Sequence, residues 1–193
     1  VNLAKELVQD ALLKKDVKTA EDAQTNLFPK LGSLDCIVGK VIPARNLSGD
    51  FLDYVEVGSS IIFCQGDVSG KGVPAALTVA RCLALFRYFC KQGLKPLQIA
   101  KSLNNEIYDM SERLEKNSGF VTFFVGSYNP ITQKLEYVNC GHGEAFVISN
   151  LGEFDIISSG SPPLGVESED RFIPILESIS LKSKRLCVFK IGR

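Results

Sequence analysis

Two breaker-free stretches lie back to back near the middle of the chain, PAALTVARCLALFRYFCKQ from Pro74 and PLQIAKSLNNEIYDMSERLEK from Pro96, joined by a Gly93–Pro96 turn. Each reads as a helix with proline in its first turn, where the missing N–H costs nothing. Beyond these helices the chain becomes a series of short segments rich in Val, Ile and aromatic residues: GFVTFFVGSYN, KLEYVNCG, EAFVISN, EFDIIS and RLCVFKI, punctuated by NP, GH, NLG and SPP. CIVGKVIPA, DYVEVG and SIIFCQGDV precede the helices and read the same way, as consecutive strands. A doubly wound parallel sheet would need strands and helices to alternate. Strands, then two helices, then strands predict instead an α+β layered sandwich built on antiparallel sheets. The first of the two helices is apolar nearly all round and is expected to be buried between layers.

At 193 residues the chain fits one such core, with no Pro/Ser-rich linker to mark a second. An additional helix is predicted at residues 1–27, where Leu3, Leu7, Ala11 and Leu12 recur at helical spacing with charged residues between them. This amphipathic helix reads equally well as one packed on its own domain and as a linker or dimerisation helix that carries a signal from an upstream sensor. Twenty-two Lys plus Arg balance 22 Asp plus Glu, so no global field draws the chain to nucleic acid or to an anionic membrane. No apolar run approaches the ~20 residues of a membrane span, and no basic stretch with a hydrophobic one behind it opens the chain. The six cysteines, Cys36, Cys64, Cys82, Cys90, Cys140 and Cys187, form no C-x-x-C pair and sit among apolar residues. Buried free thiols in a reducing, cytoplasmic setting are therefore expected.

Chemistry concentrates in two segments. SGDFLDY carries Asp50 and Asp53, and GDVSGKG carries Asp67; each sets an aspartate beside glycine at a strand end, where a carboxylate projects from a rigid edge. Gly66, Gly70 and Gly72 bracket Asp67 and allow backbone carbonyls to approach a ligand closely. Oxygen donors of this kind suit Mg²⁺ or Mn²⁺ rather than zinc. A plain pair of Asp-Gly turns is the competing reading. Only three residues separate Gly66 from Gly70, which departs from the G-x-x-x-x-G-K-[ST] nucleotide loop; Lys71 reads as a solvated lysine within reach of a phosphate. The sole histidine, His142 in NCGHGEAF, rules out a multi-histidine metal site and is expected to shape its loop. Ser48, Ser69 and the cysteines have no activating partner in the sequence, and no G-x-S-x-G elbow occurs, so covalent catalysis finds no support.

NLFPKLG, SGDFLDY, GDVSGKGVPAAL, GFVTFFVGSYNP, LEYVNCGHGEAFV and GSPPLGV occur in this order, and together they resemble the successive signatures of the PPM-type protein phosphatases in their SpoIIE and RsbU branch. The resemblance runs from about Gln24 to Val188 and assigns residues 28–193 to the phosphatase domain. It implies an αββα sandwich with a binuclear Mn²⁺ or Mg²⁺ centre, hydrolysing phosphoserine or phosphothreonine on a partner protein, typically an anti-sigma-factor antagonist. Carried over by motif, Asp67 matches the aspartate bridging both metals, the backbone carbonyl of Val68 matches a neighbouring ligand, and Asp50 matches the acidic residue beside the second metal. Asp53, Gly66, Lys71 and His142 are accessory candidates. Two cations would activate a water for direct attack on phosphorus, which needs no side-chain nucleophile.

One departure from that pattern falls at the C-terminus. In the family the strand matching RLCVFKIGR runs into a Thr-Asp-Gly turn whose Asp is a ligand, with a further Asp later on; here Lys190, Ile191 and Gly192 stand at the turn. Ile191 offers a cation no donor. The expectation is a phosphatase domain without its usual C-terminal segment, with weakened metal binding and low turnover, or alternatively a non-catalytic pseudophosphatase adaptor that binds a signalling partner. Asp53, Asp155 and Asp170 are the nearby carboxylates available as substitutes. An uncovered sheet edge would further favour a homodimer or edge pairing.

Overall fold

A computed structural model describes residues 2–29, 38–42, 47–113 and 119–188. Helix α1 (Asn2–Thr25) leads into the hairpin of β1 (Asp50–Val57) and β2 (Ser60–Val68), followed by α2 (Val73–Lys91) and α3 (Pro96–Arg113). The chain continues as β3 (Val121–Asn129), β4 (Lys134–Cys140), β5 (Ala145–Ser149), β6 (Phe154–Ile157), β7 (Glu177–Ser180) and β8 (Lys184–Val188). Five strands form one sheet in the order β1-β2-β3-β4-β7, and three form a second in the order β6-β5-β8. Every pairing between these strands is antiparallel. The expected α+β sandwich of two antiparallel sheets with helices is the fold that the chain forms.

Strand alternation explains how the layers meet. On β1–β3 one set of side chains, including Phe51, Ile62, Cys64, Val68, Val121, Phe123 and Val125, joins Val79, Leu83 and Phe86 of α2 and Ile99, Leu103 and Ile107 of α3 in the larger core. The alternate set, including Phe124, Leu135 and Tyr137 with Phe63 packed beside them, meets Ala145, Val147 and Ile157 of the second sheet in a smaller core. The five-stranded sheet is thus buried on both faces, between helices on one side and β-structure on the other.

Four expectations change. α2 buries one face, through Ala75, Val79, Cys82, Leu83, Phe86 and Cys90, and exposes Leu77 and Tyr88, so it covers the sheet from outside rather than lying between layers. With 19 residues it is also long and apolar enough to cross a membrane, contrary to the expectation that no run approaches that length. Its packed face and the Arg81–Glu106 and Arg87–Asp53 ion pairs place it in the fold instead. The CIVGKVIPA segment forms no strand over its described part, 38–42, because Val38 and Ile42 are exposed and the segment finds no strand to pair with. α1 is a helix as expected, but Leu7, Val8, Leu12 and Leu13 are all exposed, and Val8 and Leu13 point about 140° apart, so its apolar residues do not gather into a single stripe.

Candidate metal centre

The β1–β2 hairpin turns through Gly58 and, at its open end, sets Asp50 directly opposite Asp67. Directly opposed residues of an antiparallel pair share a face, and because Phe51 and Val68 point into the helical core, Asp50 and Asp67 take the alternate face toward the second sheet. Gly49 brings the incoming chain onto this pair: the Val68 N–H donates to the Gly49 carbonyl at 3.0 Å. A Cβ on Gly49 would stand 3.1 Å from the Val68 oxygen, close enough to crowd it, and 3.5 Å from Asp67 Oδ1, in ordinary contact. Register and the Gly49 contact thus set the two aspartates and Val68 at the same end of the hairpin.

The loop after Asp67 is fastened from the β3 side. Ser69 donates its N–H to the Phe120 carbonyl at 2.8 Å, and the Phe120 N–H donates to Ser69 Oγ at 2.7 Å. A Cβ on Gly119, where φ is +72°, would fall 2.1 Å from Ser69 Oγ, so only glycine permits this clasp. Ser69 is thereby occupied as a staple. Beneath Asp67 lies Thr122, its register partner on β3, whose hydroxyl reaches the Asp67 carbonyl at 3.5 Å and His142 Nδ1 at 3.0 Å. His142 is buried, its N–H donates to Asn139 Oδ1 at 3.0 Å, and Asn139 Nδ2 donates to the Gly143 carbonyl at 2.8 Å. Asn139 and the His142 backbone hold the loop, and the imidazole lies one hydroxyl away from the Asp67 backbone.

Other candidates are spent elsewhere. Asp53 faces the helices, where its carboxylate accepts from Arg87 Nε at 2.6 Å and from the Tyr54 N–H at 2.9 Å. Burial pushes its carboxyl above the ordinary value of 3.8 even though Arg87 pulls the other way. Asp53 is a strut between β1 and α2, on the wrong face to join Asp50. Gly66 leaves room for packing rather than for a ligand, since a Cβ there would lie 2.3 Å from the Phe51 ring. Lys71 is exposed in the loop between Gly70 and Gly72, both at positive φ, with Gly72 capping α2. Asp155 pairs with Lys184 at 3.2 Å and Asp170 accepts from Ser168 at 2.6 Å. The turn containing Ile191 lies outside the described residues, as does Cys36. Burial lifts the thiols of Cys82, Cys90 and Cys140 to about 12, and that of Cys64 rises well above 9.0 for the same reason, which leaves all four protonated and unreactive.

Among the described residues no three His, Cys, Asp or Glu side chains gather as a metal cluster. Two facing carboxylates and a backbone carbonyl nevertheless match the all-oxygen environment of Mg²⁺ or Mn²⁺, ions that keep several waters and need only one or two protein carboxylates each. Sequence reasoning missed Gly49, whose bracketing role appears only once β1 and β2 are paired, and Gln24, whose side chain bonds to the distant Ser48.

Residues 58–188 match the family described as Stage II sporulation protein E (SpoIIE). Phosphoserine phosphatase RsbU of Bacillus subtilis (strain 168) is 31% identical over 146 residues, 71% of this chain and 41% of that protein, so the chain corresponds to less than half of this relative. Among solved structures, the SiaA-PP2C domain of Pseudomonas aeruginosa superposes with a TM-score of 0.70 at 16% identity, covering 94% of this chain and 70% of that one. RsbX in complex with magnesium superposes at 0.56 with 17% identity, covering 74% and 62% respectively. The two-sheet architecture, the family match over most of the chain and the identity to RsbU agree: this chain belongs to the SpoIIE family, with the fold of the PP2C phosphatases.

Proposed function

We propose that the chain hydrolyses phosphoserine or phosphothreonine on a cytoplasmic regulatory phosphoprotein, of the anti-sigma-factor antagonist type, with Mn²⁺ or Mg²⁺ held by Asp50, Asp67 and the Val68 carbonyl. The observation that carries this is the register pairing of Asp50 with Asp67 beside the Val68 oxygen at the hairpin's open end. Bound cations would supply Lewis-acid polarisation and a water of lowered pKa. The chain's own part is positional. Asp67, held by strands on both sides, and Asp50 opposite it fix where positive charge gathers; the Ser69–Phe120 clasp holds the loop at the rim; Lys71, exposed next to this loop, is placed to meet phosphate oxygens. No side chain acts as nucleophile, in keeping with the protonated, buried thiols. α1 provides the connection to an upstream regulator.

Calorimetric titration of Mn²⁺ together with release of phosphate from a phosphoserine protein tests the reading. Binding with turnover is the expected result. A folded chain that binds the phosphoprotein without metal and without turnover would instead establish the adaptor reading, which the presence of only two facing carboxylates among the described residues keeps in view.

A further inference from the structure

The last turn of α1 holds a buried glutamine, although most of that helix is exposed. Gln24 donates from Nε2 to the Ser48 carbonyl at 2.8 Å and accepts from the Ser48 N–H on Oε1, also at 2.8 Å. One side-chain amide thus satisfies both backbone groups of a residue that is itself only 4% exposed. Ser48 in turn brackets Asp50: its hydroxyl donates to the Asp50 carbonyl at 2.9 Å and accepts from the Asp50 N–H at 3.0 Å. Four hydrogen bonds therefore connect α1 to the backbone of a prospective metal ligand. Two further attachments of the same helix end, Arg87 Nη2 to the Leu27 carbonyl at 2.5 Å and the packing of Leu27 and Phe28 on the helical core, do not pass through Ser48.

We propose that Gln24 is a positioning residue for the metal centre, which sets Asp50 through Ser48 and makes the end of α1 part of the frame of the site. The inference rests on Asp50 being a ligand. Residues that orient a ligand without touching the metal commonly control affinity by 10- to 100-fold, and a buried Ser48 peptide deprived of its partners would shift to find others.

Gln24→Met keeps the length of the side chain and removes both bonds; Ser48→Ala removes the link to Asp50; Phe28→Ala loosens the same helix end without touching either. Mn²⁺ titration should show about tenfold weaker binding in Gln24→Met and in Ser48→Ala, no further loss in the double variant because both break one chain of contacts, and unchanged affinity in Phe28→Ala despite a lower melting temperature. Wild-type affinity in Gln24→Met, or an equal loss in Phe28→Ala, would overturn the proposal. In the metal-free chain, amide exchange at Asp50 should quicken in Gln24→Met and not in Phe28→Ala. If the wild-type chain binds no Mn²⁺, the metal reading falls while the exchange rates still decide whether Gln24 sets Asp50.

Discussion

Asp50 and Asp53 stand three residues apart on one strand and belong to different parts of the molecule. Asp50 faces the second sheet opposite Asp67, whereas Asp53 points into the helical layer and is held by Arg87. Both are aspartates in SGDFLDY, and an odd number of steps along a pleated strand is all that separates a prospective ligand from a strut. Position on the pleat, more than residue type, decides which of them faces Asp67 and which faces Arg87.

The widest gap between the two faces should come from Asp67→Ala. Loss of the carboxylate opposite Asp50 is expected to abolish hydrolysis and Mn²⁺ binding while the cooperative unfolding transition persists, and an unchanged titration would break the comparison at its centre. Asp53→Ala should do the reverse: a stability cost of about 2 kcal/mol in urea unfolding, for a charge-assisted bond whose Arg87 partner remains partly solvated, with Mn²⁺ affinity preserved. A smaller effect sharpens the assignment through pH. Because burial raises the folded-state carboxyl of Asp53 above its ordinary 3.8, the native chain holds this proton more tightly than the unfolded one, and stability falls as pH rises through the window above that value. Unfolding free energies of wild type and Asp53→Asn, compared across that window, should show this component only in wild type. Smallest is a probe of the helical face itself: Cys64, the register partner of Asp53, and Cys90 should resist alkylation in the native wild type and become slowly accessible in Asp53→Ala.

Much of the architecture was legible in advance, for identifiable reasons. The order of strands and helices pointed to the antiparallel α+β class, and glycine beside Asp50 and Asp67 marked the two segments that the hairpin brings together. The separate fates of Asp50 and Asp53 were not legible, because the sheet is buried on both faces: Phe51 and Leu52 are both apolar, so alternation in DFLDY names no single inner side. β7 escaped notice because ESIS is polar and gains its place only as an edge strand on β4. Val38–Ile42 misled in the opposite sense, with apolar residues but no neighbour to bury them. Gln24 looked like any polar helix position, since nothing local marks a partner 24 residues along the chain.

The hairpin turns at Gly58, and the rung of its ladder farthest from that turn bears Asp50 and Asp67. Among the described residues β1 is also the outermost strand of its sheet, with β2 as its single neighbour. The two like charges are therefore gathered at the end of an edge strand, where the Gly49–Val68 bond and the Ser48 bracket oppose the fraying that such ends invite. Opening of this one strand end would separate the two carboxylates without unfolding either core, so the bonds of Ser48 and Gly49 are what keep the pair together.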